Sequence, residues 1–361
     1  MTVLWINLVA VFLLAFLARV MATPALSGVH THFTRWVPVK PSKLFIILTV
    51  SMLAVVSGLR NNIGDTFFYM YGYEINDFSW SYIFSNKDFG FSILQKILKS
   101  ISQDPQILIF TTAVISNILV VVILYQYSRL IELSLYVYIT GGLYLVSMNG
   151  IRQFLAASIL FAATRYIING NWKKYMLVVL FAATLHQSAL ILIPIYFFVR
   201  QKAWSNMSYL FIAAAVVVVI GYQEFSSFLF SAMETTVYGH YSEFAEGGAN
   251  FIRVGVSAFP LLVAYLGRDR FKEIFPASDI IINFSLISLV FTIISTQNWI
   301  FARFNMYFDL YTLILISWLP KLFREKDGKV IYYFILLAFF VFYFYENVIT
   351  LRIVYQSDFI S

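Results

Sequence analysis

The sequence predicts an all-α polytopic membrane protein: one integral domain over residues 1–361, about twelve transmembrane or re-entrant helices in one bundle, and two long outer loops. Three observations lead there. Apolar residues make up 60% of the chain and charged residues 12%, against roughly 45–50% and about 25% in ordinary soluble proteins. With a mean hydropathy of +0.79, 37 Phe and 24 Tyr, a water-soluble fold has nowhere to place so much apolar surface. Apolar runs near the length of about 20 residues that crosses hydrocarbon recur along the whole chain. The cations, finally, are shared unevenly between alternate loops.

Taken in order, the runs are 4–21, 44–59, 105–127, 133–149, 151–168, 208–223, 254–267, 279–297, 300–320 and 330–347. The stretch 175–199 is either one long tilted helix or two short ones broken at Leu185-His186-Gln187, a hairpin or a re-entrant pair. Charge separates the first possibility from the other two. If the stretch returns to its starting side, loops 19–43, 128–132, 165–174, 200–207, 268–279 and 321–329 share one face and hold 17 of the 25 Lys and Arg. If it crosses once, the split falls to 11 against 14. Positive-inside bias asks for strong asymmetry, so the returning arrangement is expected, with both termini outside the cytoplasm. The same bias accounts for the net charge of +7 without nucleic acid as a partner. The first span lacks a basic leader and carries Arg19 at its inner end, so it reads as a retained helix. No internal repeat or soluble domain is visible.

The outer loops are 60–104 and 223–253. In the first, Phe91, Leu94, Ile97, Leu98 and Ile101 recur at helical spacing with Gln95, Lys96 and Lys99 opposite, the pattern of a helix lying in the interface over the bundle. The second holds Glu224, Glu234, Glu243, Glu246 and the run Tyr238-Gly239-His240-Tyr241.

The cations that break the bias are Arg60, Lys87, Lys96, Lys99, Arg152, Arg253, Arg303 and Arg352. The three lysines fit the amphipathic segment and can snorkel to headgroups. Arg60, Arg152, Arg253 and Arg303 each end a span on the outer side. A planar guanidinium grips phosphate or carboxylate oxygens in pairs, so four at one depth would make an outward-facing anion site. Each taken alone would simply pair with an acid or a lipid headgroup. Arg152 is the sharpest of them, because the turn Asn149-Gly150-Ile151-Arg152-Gln153 is too short to leave the membrane plane.

His186 sits at the helix break. It is either a buried neutral ring satisfied by Gln187, Ser188 or a carbonyl, or a general base near neutral pH. Asp65 follows Gly64 and either neutralises Arg60 or accepts a proton. Asp309 lies inside a span with Asn305 one turn before it, a functional candidate or an arginine partner. Tyr69, Tyr71, Tyr73 and Trp80 could stack on sugar rings. His30 and His32 read as solvated, and His240 alone is weak evidence. With no Cys, four His and no phosphate loop, HExxH or GxSxG pattern, neither a metal nor a cofactor is expected.

Together these motifs resemble those of the EpsG-type polysaccharide polymerases, relatives of the Wzy O-antigen polymerases. The run Leu59-Arg60-Asn61-Asn62-Ile63-Gly64-Asp65-Thr66 with Tyr69 is similar to the signature after their second span. The turn at 149–153 resembles their asparagine–arginine–glutamine motif. Leu185-His186-Gln187-Ser188-Ala189-Leu190, with Pro194 and Tyr196, resembles their helix break, and Arg303 with Tyr307 their late span. The resemblance covers roughly residues 40–320 and does not reach Arg253 or His240.

It implies a bacterial cell-membrane enzyme that joins oligosaccharide repeat units, carried on polyprenyl diphosphate, into exopolysaccharide on the outer face without a metal. Its partners would be that lipid-linked oligosaccharide, membrane lipid and other assembly proteins such as a flippase or chain-length regulator. On this reading Arg60, Arg152, Gln153, Arg303 and Tyr69 bind substrate, and His186 or Asp65 is the base; Arg253 is a further substrate-binding candidate from its place at the outer end of a span alone. A flippase of the same lipid or a glycan ligase shares the need for arginines. A membrane acyltransferase would use the histidine but not the arginines.

Overall fold

A computed structural model describes residues 1–24, 39–224 and 248–360. His30, His32, Glu234, Tyr238, His240, Glu243 and Glu246 lie outside the described residues, as does most of the 223–253 loop.

The described residues are helical almost throughout. The helices are α1 Thr2–Val20, α2 Lys43–Gly58, α3 Thr66–Ile75, α4 Trp80–Ser85, α5 Phe89–Ile101, α6 Gln106–Tyr127, α7 Ile131–Thr140, α8 Leu143–Asn149, α9 Ile151–Ala162, α10 Thr164–Ile168 and α11 Trp172–Leu185. A 3₁₀ turn, Gln187–Ile191, leads into α12 Leu192–Val199 and α13 Asn206–Ile220. After the gap come α14 Phe251–Leu266, α15 Arg268–Ile274, α16 Ser278–Ser295, α17 Ile300–Phe304, α18 Asp309–Trp318 and α19 Glu325–Tyr343, which winds on as a π-helical stretch, Phe344–Thr350. Thr23–Pro24 and Val39–Lys40 form a two-residue antiparallel pairing.

Helices such as α1, α2, α6, α13 and α16 are apolar on nearly every face, as membrane segments must be. All ten residues of α7 and nearly all of α16 are buried. The outer helices instead leave apolar side chains uncovered, among them Ile6, Val9 and Leu13 of α1 and Leu210, Val217 and Ile220 of α13. Helix α1 packs on α2 and α7, α2 on α6, α6 on α9, and α9 on α11; α16 is enclosed by α12, α13, α14 and α18.

Four helices among the described residues are long and apolar enough to cross a membrane: Thr2–Val20, Gln106–Tyr127, Ser278–Ser295 and Glu325–Thr350. Two bent pairs, α7 with α8 (54°) and α14 with α15 (79°), bring the number to six. The expected spans are cut into shorter pieces. Residues 133–149 bend at Gly141-Gly142, 151–168 break at Ala163, 175–199 break at His186, and 300–320 pass through a 3₁₀ turn at Asn305–Tyr307. Hydropathy registers the apolar run but not these breaks, so length and apolarity now credit fewer crossings than about twelve.

The cation-rich loops gather at one end of the bundle through a chain of contacts. Arg19 pairs with Glu132 at 2.7 Å. The Trp318 indole donates to the Tyr127 carbonyl and stacks on Phe275, ring centres 4.9 Å apart. Asp279 accepts the Ala203 N–H, and Arg200 donates to the Ile167 carbonyl. The last contact places the two ends of the 172–199 segment side by side, so this segment returns to its starting end with His186 at its far turn.

In the outer loop the amphipathic helix forms as α5, Phe89–Ile101. Its lysines do not turn to headgroups. Lys99 donates to the carbonyls of Tyr73, Glu74 and Asn76 at 2.8–2.9 Å, and Lys96 donates to that of Phe78. Lys99 caps the last turn of α3, whose carbonyls have no partner within the helix, and with Lys96 it ties α5 to α3 and to the turn before α4 as an arch.

Candidate functional site

The first motif turns sharply because Ile63 and Gly64 both take left-handed backbone angles, φ 78° and 56°. A Cβ on Gly64 would fall 2.2 Å from Asn149 Oδ1, so glycine is required there for space as well as conformation. That Asn149 oxygen accepts the Asp65 N–H at 3.0 Å. Two turns 84 residues apart in sequence are thereby brought edge to edge.

Above them opens a cavity of about 750 Å³. Asp65, Tyr69, Arg152, Gln153, His186 and Arg303 all line it. Arg152, in the first turn of α9, lies 3.2 Å from Asp88 and against the rings of Tyr69 (5.7 Å) and Phe91 (6.0 Å). Arg303 lies over Trp299 at 5.0 Å and 3.8 Å from Asp65. Gln153 is nearly buried, and its amide donates to the Arg303 backbone carbonyl at 3.0 Å. It therefore holds the Arg303 chain in place more than it faces the cavity.

His186 ends α11 in an extended conformation. Its Nδ1 meets Ser188 Oγ at 2.7 Å, and Ser188 Oγ meets the Tyr307 hydroxyl at 2.8 Å. Nε2 is left for the cavity. Burial holds the imidazole below its ordinary range; Asp88 pulls it up, and Arg152 and Arg303 push it further down. The ring is neutral near pH 7 and competent to take a proton.

Two expected ligands lie elsewhere. Arg60 is 1% exposed and spends its guanidinium internally, on the Thr66 hydroxyl (3.1 Å), the Met148 carbonyl (2.6 Å) and the Ser57 carbonyl. It is a latch between the two motif turns and does not line the cavity. Burial pushes it down to about 10, still charged at neutral pH. Arg253 reaches Glu346, with Nε 3.1 Å from its carboxylate, and does not line the cavity. Asp309 does not line it either; its carboxylate accepts from Ser288.

Of the four aromatic side chains, Tyr69 alone lines the cavity. Tyr73 is buried and donates to the Ser102 carbonyl, while Tyr71 and Trp80 are exposed on the arch. The cavity also takes in Lys87 of the outer cations, Gln187 of the helix-break motif, and Asp88, which no motif contains. Asp88 could be read from sequence only as an acid ahead of a helix. Nothing local announces a partner 64 residues away.

Among the described residues no group of three or more His, Asp or Glu is placed to hold a metal ion. Comparison with curated proteins and with solved structures returned no match. The EpsG family model, by contrast, matches residues 43–357, a range that contains every residue of the cavity. The chain is therefore a member of the EpsG family, the exopolysaccharide polymerases.

Proposed function

We propose that this protein lengthens an exopolysaccharide by joining oligosaccharide repeat units carried on polyprenyl diphosphate, on the outer face of a bacterial cell membrane. The observation that carries the reading is the meeting of Arg152, Arg303, Asp65 and His186 in one cavity. That cavity lies a full length of α11, about 20 Å at 1.5 Å per residue, from the end where the cation-rich loops gather. Positive-inside bias makes the loop end cytoplasmic and the cavity end external.

In the proposed step, Arg152 and Arg303 hold the diphosphate of the donor. The acceptor hydroxyl attacks the donor's anomeric carbon, the bond from that carbon to the diphosphate oxygen breaks, and the lipid diphosphate leaves with the electron pair. The guanidiniums stabilise the charge as it develops. His186 Nε2 takes the hydroxyl proton, with the Ser188–Tyr307 chain holding its other nitrogen; Asp65 then orients Arg303. A single displacement inverts the anomeric centre. Arg60 and Arg253 have no part in binding here, and the scheme uses no metal or cofactor. The donor, membrane lipid and the flippase and chain-length regulator of the same assembly line are the expected partners.

The test is a panel of Arg152→Ala, Arg303→Ala and His186→Ala proteins expressed at wild-type abundance in a strain lacking its own copy. Polymer yield should fall below a tenth of wild type in each, since removing one charge-stabilising donor costs about 10²–10³ in rate. Wild-type yield from the two arginine variants would sink the diphosphate assignment.

A further inference from the structure

Asp88 is the cavity carboxylate that the proposed step leaves without a task. Its Oδ2 lies 3.2 Å from Arg152 and its Oδ1 accepts the Gln187 N–H at 3.0 Å. One side chain thus joins the first turn of α9, which presents the anion-binding guanidinium, to the helix break, which presents the base. Asp88 is anchored in turn. Its backbone carbonyl accepts the amides of Phe91 and Ser92 as α5 begins. The start of α5 is pressed onto the end of α11: a Cβ on Gly90 would fall 2.2 Å from Thr184 Oγ1, so α5 can neither slide nor rotate there without opening the contact.

Resting on the function proposed above, we infer that Asp88 is a positioning residue that fixes Arg152 relative to His186 and makes α5 the scaffold of the reacting groups. A carboxylate suits the position for two reasons. Two acceptor oxygens let it serve a guanidinium and a peptide N–H together. Gln187 opens the 3₁₀ turn, where an N–H has no partner within the turn, and without Asp88 it would be left unpaired beside the cavity. Both oxygens being engaged, Asp88 is a brace and not a second base.

The groups facing His186 are Asp88 ahead of α5, Arg152 on α9, Arg303 on α17, and Tyr307 through Ser188. Asp65 stays 3.8 Å from Arg303, but removing the Asp88 charge takes away the carboxylate that favours the protonated ring, so the ring becomes harder to protonate. The acid limb of the activity profile should then move to lower pH.

The test uses the absence of cysteine from the chain. A Gln187→Cys substitution keeps the backbone N–H and introduces a unique thiol at the break. In full-length protein reconstituted in lipid, the cationic methanethiosulfonate MTSET then reports how readily that thiol is reached. Asp88→Ala should speed its modification about tenfold or more, the factor that a lost charged hydrogen bond is worth. Asp88→Asn still offers an oxygen to the 187 N–H, and should leave the rate within about twofold. In activity measurements Asp88→Asn should lower kcat by about tenfold or more with a smaller change in KM, as misplaced reacting groups do, and shift the acid limb downward. Unchanged labelling in Asp88→Ala, or an unmoved acid limb in Asp88→Asn, would overturn the assignment. If wild-type protein makes no polymer, the functional reading fails, yet the labelling comparison still decides whether Asp88 braces the break.

Discussion

Arg152 and Arg303 differ in what already holds them. Arg152 is braced by Asp88 and two rings, whereas Arg303 lies over the ring of Trp299 with Asp65 at 3.8 Å, beyond hydrogen-bond length. Arg152→Lys keeps the charge but loses the fork and its stacking. It should retain some turnover at a kcat/KM about 10–100-fold below wild type, above that of Arg152→Ala. Initial rates across donor concentration measure this. For His186, burial and the two guanidiniums lower the ring's pKa, so the neutral, proton-accepting form survives below the ordinary value of about 6.5. Activity should therefore hold through pH 6.5 on the acid side and decline only beneath it; a midpoint at or above that value would contradict the assignment of His186 as base. Arg60 behaves as a structural residue. Arg60→Met should cost about 2–4 kcal/mol by leaving the Ser57 and Met148 carbonyls and the Thr66 hydroxyl without their donor, read as a lower thermal midpoint.

At the scale of elements, the site is made by helices that stop. Helices α2, α8 and α11 end, and α3, α9 and the 3₁₀ turn begin, within one cluster, and each end leaves polar backbone that the motif residues satisfy. Gly64→Ala tests this most directly. It puts a methyl into Asn149 and a side chain at φ 56°, and should cost about 1–3 kcal/mol of strain while separating Asp65 from the 149–153 turn. Polymer yield should fall even where folded protein is recovered. The break at His186 was legible in the sequence, because the cation count demanded a return in 175–199. The difference between Arg60 and Arg152 was not: each is an arginine at the end of an apolar run. What separates them is a carbonyl 88 positions away for one and a carboxylate 64 positions away for the other. Lys96 and Lys99 misled for a similar reason. Their helix face was read correctly, but the carbonyls they reach belong to other elements.

Over the whole molecule, the clearest feature that composition cannot reveal is a strap. Residues 354–358 return to the first motif: Gln356 exchanges hydrogen bonds with Asn61 and Asn62, Asn61 also reaches Asp358, and Tyr355 donates to the Val56 carbonyl. Ending the chain at residue 351 removes only Tyr355 and the partly buried Ile353 from the core cluster, so the bundle should stay folded while the Asp65 turn loosens. Polymer yield should drop at least about tenfold, the scale of a misplaced reacting group, with the thermal midpoint only modestly lower. Apolar runs and loop charge revealed the bundle and its two ends, because both follow from the solvent a membrane provides. The strap and the Asp88 brace join residues far apart in the chain and left no local pattern to read. The central claim, that Arg152, Arg303 and His186 together perform glycosyl transfer from a lipid diphosphate, is tested most directly with purified protein in lipid. It would be incubated with a polyprenyl-diphosphate oligosaccharide and EDTA, and the products resolved by size. The account predicts a ladder spaced by one repeat unit, absent from the Arg152→Ala, Arg303→Ala and His186→Ala proteins. No ladder from active-site-intact protein, or an undiminished ladder from the variants, would contradict it.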